Sequence, residues 1–241
     1  MMKLLVSGCS LSSGWGFDVN NKQLNWPEQL ASRLDATLVN VSVTGYDNPG
    51  IFMNFMQELV KEDFDLCLLQ VTALERIILS PTWHGSQLCN RLNISNGLLS
   101  ESDYHKWYKN FLLLNQSAEH WHRLCKIINI LQELAYQKKS IRFINGLLDW
   151  DYELFNNPSK SMFINRLLDV NNLPDDDIDK FRNIVYNQTK GIDLNLWINP
   201  FNSFKNMQID NISVSDSHPG IASHLAYTDL IFNYLKDTSH T

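Results

Sequence analysis

The run LLVSGCS at residues 4–10 decides the class of fold. Its apolar residues are continuous rather than alternating, which is typical of a parallel strand that is buried on both faces. The glycine and serine that follow indicate a tight turn at the carboxyl end of this strand. Ser10 is therefore expected at the edge of a parallel sheet, where α/β proteins bind their ligands.

Working outward, three further apolar runs predict strands at residues 37–43, 64–71 and 140–144. Helical patterns separate the strands. Trp26-Pro27-Glu28 opens one helix with proline in its first turn, and Asn48-Pro49-Gly50 opens another. The remaining helices are predicted at about 117–138, 161–168, 175–186 and 221–235. This alternation predicts an α/β protein, a three-layer α/β/α sandwich around a central, mostly parallel sheet.

The chain is expected to form a single domain over residues 1–241, because no linker, repeat or low-complexity tract divides it. The pattern weakens over about 149–207, and this segment is predicted to be a helical insertion that covers one end of the sheet. An irregular stretch that is rich in aromatic and polar residues, roughly 80–106, is predicted to contribute walls to a binding pocket.

The composition excludes several classes of function. The formal net charge is −6 and the basic residues are scattered, which argues against a nucleic-acid partner. The first apolar stretch, residues 4–6, is too short for a secretory signal, and no stretch is long enough for a membrane span, so we expect a cytoplasmic protein. Four cysteines lie far apart without zinc-site spacing, so neither a metal site nor a disulfide framework is expected. The oligomeric state is left open.

Two other motifs have residue types suited to a catalytic site. Gly45 follows the second predicted strand, just before a helix, and its backbone N–H could face the same cleft as Ser10. Near the other end stands Asp216-Ser217-His218-Pro219, where Pro219 suits the first turn of the last helix and keeps His218 outside it. Taken singly, each motif has a plain structural explanation as a turn or a helix cap.

In combination, the order and spacing of these motifs resemble the SGNH (GDSL-like) hydrolase family. Gly8-Cys9-Ser10 corresponds to its serine block, Gly45 to its oxyanion glycine, and Asp216 with His218 to its closing pair. The resemblance implies the flavodoxin-like SGNH hydrolase fold. It also implies Ser10 as nucleophile, His218 as base and Asp216 as the partner of that base, with no metal or organic cofactor.

The chain departs from the family pattern at three points. Cys9 stands where the family has an aspartate beside the serine. The spacing from Asp216 to His218 is two positions, whereas three is commoner in the family. The third strand lacks the asparagine that completes the oxyanion hole in the family. Thr72 stands nearest to that position and is the substitute candidate, beside the amides of Ser10 and Gly45. The other candidates, for substrate binding, are Glu75, Arg76 and His84.

Three functions remain open at this stage. The first is a serine esterase or acylhydrolase that acts on a small-molecule or carbohydrate ester, such as an O-acetyl group. The second is an O-acyltransferase that uses the same triad with a second acceptor. The third is a non-catalytic binding protein, which the missing asparagine favours and the presence of all three triad residues opposes. Of the remaining histidines, His224 is expected to pack or to cap a helix.

Overall fold

A central parallel sheet organises the computed structural model, which describes residues 2–18, 20–73, 117–138, 140–148, 150–171, 175–214 and 216–238. Within these residues, five strands pair in the order β2-β1-β3-β4-β5, every pair parallel. The strands are β1 (Met2–Ser7), β2 (Ala36–Asn40), β3 (Leu66–Val71), β4 (Ile141–Asn145) and β5 (Trp197–Ile198). This is the α/β sandwich with a parallel sheet that the sequence predicts.

Burial of the strands follows their place in the sheet. All six residues of β3 and the last four of β1 are buried, because these strands have neighbours on both sides. Strand β2 is partly exposed along its length because it forms one edge. In register, Leu5 of β1 lies between Val39 of β2 and Cys67 of β3. The continuous apolar runs in the sequence therefore correspond to strands covered by helices on both faces.

Eight α-helices flank the sheet within the described residues: α1 (Ser10–Ser13), α2 (Trp26–Leu34), α3 (Asn48–Leu59), α4 (Ser117–Lys138), α5 (Glu153–Asn156), α6 (Met162–Asn171), α7 (Asp175–Thr189) and α8 (Ile221–Thr238). Side-chain caps mark the start of two of these helices. The Asn25 side chain accepts from the amide of Glu28 to cap α2, and the Asp47 side chain accepts from Gly50 to cap α3. Each of the two helices also has proline in its first turn.

Helices α2 and α8 pack together on one face of the sheet. Their contact contains the edge-to-face pair of Trp26 and Tyr227, whose ring centroids are 5.8 Å apart. An ion pair between Arg33 and Asp229 lies at its surface. Because β1–α2–β2 runs in the opposite direction along the sheet from β2–α3–β3, right-handed crossovers place α3 on the other face. Full burial of a side chain such as Leu30 stabilises this arrangement by about 1.5–3 kcal/mol.

Two parts of the chain differ from the sequence-based prediction. The second strand ends at Asn40 rather than at residue 43, although Val41 and Val43 still donate to the carbonyls of Val6 and Gly8 beyond it. Segment 149–207 contains α5, α6 and α7, and it also supplies β5 to the central sheet. A two-residue strand is too short for a hydrophobic pattern to reveal.

An antiparallel hairpin outside the main sheet precedes the last helix. Strand β6 (Asn211–Ser213) pairs with β7 (Asp216–Pro219), and α8 begins at Ile221. The prediction that Pro219 lies in the first turn of α8 is therefore wrong. Pro219 is the last residue of a strand whose only partner among the described residues is β6, a position that tolerates a missing N–H. No described helix has the length and apolar character needed to cross a bilayer.

Candidate active site

Ser10 lies at the carboxyl edge of the sheet, in a tight turn that we call the nucleophile turn (residues 8–13). Strand β1 ends at Ser7, and Ser10 is the first residue of α1, which is only four residues long. The side chain of Ser10 is almost fully buried, with 3% of the residue exposed. Gly14 ends α1 in the left-handed conformation (φ 74°), which glycine adopts without strain.

His218 and Asp216 reach Ser10 from the β6–β7 hairpin, residues 211–219, which we call the histidine hairpin. His218 Nε2 is 3.2 Å from Ser10 Oγ, and His218 Nδ1 is 2.6 Å from Asp216 Oδ1. The same Asp216 oxygen accepts the backbone N–H of His218 at 3.0 Å. The structure therefore brings together three residues that the sequence nominates, two of them 208 positions apart.

The charge on Asp216 is set by two opposing effects. Partial burial alone would raise the pKa of Asp216, but hydrogen bonds from the backbone and ring of His218 outweigh it, with a contribution from Trp15, and the pKa lies below its ordinary value. Asp216 is therefore ionised at neutral pH and accepts a hydrogen bond from the Nδ1–H of the imidazole. In that tautomer Nε2 carries the lone pair that faces Ser10.

Asp210 anchors the base of the histidine hairpin. Its carboxylate accepts the amides of Ala222 and Ser223, at 3.0 and 2.8 Å, and the Ser223 hydroxyl at 2.6 Å. These donors lie at the start of α8, so Asp210 caps that helix from across the hairpin. Gly220 allows this approach, because a Cβ at that position would lie 2.5 Å from Asp210 Oδ2.

Side chains from neighbouring strands hold the nucleophile turn in place. Asn40 Nδ2 donates to the carbonyl of Ser12 at 2.8 Å, and Ser13 Oγ lies 2.7 Å from Thr44 Oγ1. Below the turn, Ser12 Oγ donates to Oε1 of the buried Gln70 at 2.6 Å. The turn is thus tied to the strands on both sides of β1.

Two backbone amides are candidates for an oxyanion hole. Gly45 is buried in the left-handed region (φ 81°), a conformation that favours glycine. Within the described part of the chain, no backbone carbonyl accepts the amide hydrogen of Ser10 or of Gly45. Among the described residues these two amides thus have no backbone acceptor, and they lie on the two loops that the sequence assigns to this role.

Thr72 directly follows β3 and is fully buried. Asn48 binds its backbone from both sides, with Oδ1 accepting the Thr72 amide at 2.8 Å and Nδ2 donating to the Thr72 carbonyl at 3.0 Å. The hydroxyl of Thr72 has no partner among the described residues. Thr72 thus stays a candidate for the third donor, and Asn48 sets its position.

The other nominated residues divide into two groups. Glu75, Arg76 and His84, the candidates for substrate binding, lie outside the described residues. His224 is buried between Phe17 and Phe204, and its Nδ1 accepts the amide of Trp26 at the start of α2. Burial lowers the pKa of His224 to about 4, so it is neutral at physiological pH. The expectation that it packs and caps is confirmed.

Four residues of the site are not predicted from the sequence. Trp15 lies with its ring centroid 6.2 Å from that of His218 and is half exposed. Asn48, Gln70 and Asp210 each bind a segment that is distant in the sequence. A capping motif beginning at Asp47 could have drawn attention to Asn48, but nothing local marks Gln70 or Asp210 as polar residues with a partner.

Comparison with solved structures identifies the class of fold. The chain aligns with the crystal structure of TesA at a TM-score of 0.50 and 14% identity, covering 98% of this chain and 99% of that one. It aligns over the full length of both chains with the psychrotrophic esterase EstA from Pseudoalteromonas sp., at a TM-score of 0.52 and 12% identity. At these identities the likeness concerns the fold alone, and the α/β fold with a central parallel sheet that is expected from the sequence is confirmed.

Sequence comparisons add no closer relative. No family model matches the chain. The search of curated proteins also returned no match.

Proposed function

We propose that this protein is a serine ester hydrolase, with Ser10 as nucleophile, His218 as general base and Asp216 as the residue that orients the base. The observation that carries the proposal is the pair of hydrogen bonds that links Ser10 Oγ to His218 Nε2 and His218 Nδ1 to Asp216 Oδ1, at 3.2 and 2.6 Å. A serine hydroxyl becomes a useful nucleophile when a neutral imidazole lies within hydrogen-bond reach of it.

The acylation step follows from these contacts. Ser10 Oγ attacks the ester carbonyl while its proton passes to Nε2 of His218, so that a C–O bond forms and the carbonyl oxygen takes up negative charge. Asp216 stabilises the resulting imidazolium. The amides of Ser10 and Gly45 donate to the oxyanion, and the Thr72 hydroxyl is the candidate for a third donor. Each such donor contributes on the order of 10²–10³ in rate.

The same groups complete the reaction. The imidazolium of His218 returns its proton to the leaving alkoxide as the bond to the alcohol breaks, which leaves an acyl group on Ser10. Water then attacks the acyl-enzyme, again with His218 taking the proton, and the products are a carboxylic acid and free Ser10. We expect the substrate to be a small-molecule or carbohydrate ester.

The comparison with EstA supports this assignment. EstA is described as an esterase, was solved inhibited by monoethylphosphonate, and shares its fold with this chain along the full length of both. We infer that a phosphonate ester can also reach the serine of this protein. A fluorophosphonate probe therefore suits the first test, because it reports an activated serine without requiring knowledge of the natural ester.

The test measures the second-order rate of labelling of purified protein by a fluorophosphonate that carries a fluorophore, beside Ser10→Ala. We expect labelling of the wild type, with one adduct per chain by mass spectrometry, and none of the variant. Unlabelled wild-type protein would be assayed separately with p-nitrophenyl acetate, alone and with added alcohols, to separate hydrolysis from acyl transfer. Folded wild-type protein that resists labelling would overturn the proposal and favour a non-catalytic binding protein.

A further inference from the structure

Gln70 places an amide in the most buried strand of the sheet. It is the next-to-last residue of β3, where the other buried residues are apolar, and it is fully buried. A glycine directly follows each neighbouring strand, Gly8 after β1 and Gly146 after β4, and leaves space for the Gln70 side chain. A Cβ at Gly8 would lie 2.9 Å from Gln70 Oε1, and one at Gly146 would lie 2.8 Å from Gln70 Cγ. Burying an amide costs free energy unless its hydrogen bonds are made, so its partners indicate its role.

The partners of Gln70 lie on either side of Ser10. Oε1 accepts the hydroxyl of Ser12 at 2.6 Å and lies 3.8 Å from the thiol of Cys9. The backbone of the turn links the same two residues, because the amide of Ser12 donates to the carbonyl of Cys9 at 3.0 Å. Gln70 therefore holds both ends of the segment that carries Ser10. Its Nε2 makes no hydrogen bond of good geometry within the described residues, although the Tyr227 hydroxyl lies near the same side chain, so Oε1 carries the contact with the turn.

We propose that Gln70 is a positioning residue for Ser10, acting through Ser12 and Cys9; this inference rests on the proposed function. Helix α1 has four residues and cannot hold Ser10 Oγ in line with His218 by its own hydrogen bonds. The side chain of Gln70 supplies a fixed point in the core of the sheet. Misplacement of a nucleophile by about 1 Å can cost on the order of 100-fold in rate.

The first experiment compares Gln70→Leu with Gln132→Leu. Gln132 is a matched control: a buried glutamine of α4, whose Oε1 accepts the amide of Asp193 and whose Nε2 donates to the carbonyl of Gly191, both at 2.6 Å. We expect Gln70→Leu to slow fluorophosphonate labelling by roughly 10-fold or more. Gln132→Leu should lower the Tm but leave the labelling rate within about twofold of the wild type. Equal labelling rates for wild type and Gln70→Leu would overturn the inference.

Two further variants separate positioning from stability. Ser12→Ala removes the donor of the same hydrogen bond, so the double variant with Gln70→Leu should label no more slowly than the slower single variant. Multiplying effects would contradict action through Ser12. Gln70→Glu keeps an oxygen acceptor but buries a carboxyl group. It should therefore lower the Tm but slow labelling less than Gln70→Leu does. Labelling rates that simply follow the Tm across all variants would overturn the inference.

Ser12→Ala keeps the test decisive if Gln70→Leu does not fold, because it deletes only a hydroxyl. A Ser12→Ala protein that labels at the wild-type rate would overturn the inference. The two proposals fail differently. If wild-type protein is not labelled at all, the proposed function fails. If the wild type is labelled and the Gln70 and Ser12 variants label as fast as the wild type, only the positioning role fails.

Discussion

The nucleophile turn and the histidine hairpin contribute to one site but are held in different ways. Ser10 is 3% exposed and its turn is bound by side chains from β2, β3 and the loop after β2. The side chains of His218 and Asp216 are each 31% exposed, and their hairpin pairs with nothing else in the described sheet. The position of the turn depends on contacts with the core of the protein. The position of the hairpin depends on local contacts at the protein surface.

Because the turn and the hairpin are held differently, we expect the two halves of the site to respond differently to substitution. In the hairpin, removing a side chain exposes little buried surface, so activity should fall with small change in stability. In the turn, the same contacts place Ser10 and fill the core, so activity and stability should fall together. Substitutions in the turn and in the hairpin therefore test whether the two parts are held in different ways.

The largest effect is expected for His218→Ala. Loss of the base should reduce the rate of hydrolysis of p-nitrophenyl acetate by on the order of 10⁶-fold, because residues of such a triad act as a unit. The free energy of unfolding should change by less than about 1 kcal/mol, since the side chain is partly exposed. Initial-rate assays would measure the rate of hydrolysis, and thermal unfolding would measure the change in stability. A rate within tenfold of the wild type would contradict the assigned role.

Asp216→Asn should have the next largest effect, a loss on the order of 10⁴-fold in hydrolysis. An asparagine amide cannot stabilise the imidazolium, and it favours the tautomer in which Nε2 no longer faces Ser10 with its lone pair. Rates measured between pH 6 and 9 beside those of His218→Ala would test this. If the variant kept more than a tenth of the wild-type rate, Asp216 would not be the partner of the base.

Gly45→Ala should lower hydrolysis by about 10²-fold, because the new side chain is strained at φ 81° and the amide that we propose as an oxyanion donor must shift. The loss should appear in kcat rather than in KM. Gly191→Ala is the control, since Gly191 is exposed and its nearest contacts are with the flexible side chain of Asn129 at 3.1 Å. Equal activities of the two variants would remove Gly45 from the oxyanion hole.

The smallest effect is expected for Asp210→Asn, which weakens the cap of α8 by about 1 kcal/mol, or about 2–4 °C in Tm at pH 7. Burial alone would raise the pKa of Asp210, but hydrogen bonds from Ser223 and Ala222 lower it overall. The carboxylate thus stabilises the fold above its ordinary pKa of 3.8, and this contribution is lost as the pH falls through the lowered value. The Tm difference between wild type and variant should therefore close in acid. A difference that is constant from pH 7 to pH 3 would contradict this.

The sequence predicts the fold well where the chain is patterned. The four longer strands and the helices at 26–34, 48–59 and 117–138 were predictable because buried parallel strands are continuously apolar and the helices have periodic faces or caps. The two-residue strand β5 and the β6–β7 hairpin were not, since neither is long enough to show a period.

Within the site, residues of a motif could be predicted and residues that support them could not. Ser10, Asp216 and His218 stand in short motifs with a known order. Gln70 and Asn48 act through contacts that span 58 and 24 positions. In the sequence, Gln70 is only a polar residue within an apolar run, and Asn48 is only part of a helix start. Their roles follow from the order and register of the strands, which cannot be read from a single sequence.

The separation of Ser10 from His218 has a consequence for biosynthesis. A ribosome adds about 5–20 residues per second, so the 208 positions between them take roughly 10–40 s to synthesise. Strand β1 and its serine leave the ribosome long before the imidazole exists. Under the proposed function, Ser10 of a growing chain stays inert until the histidine hairpin and α8 are in place. The function that we propose thus couples a reactive serine to late folding, and probe labelling of stalled nascent chains would report how late that moment comes.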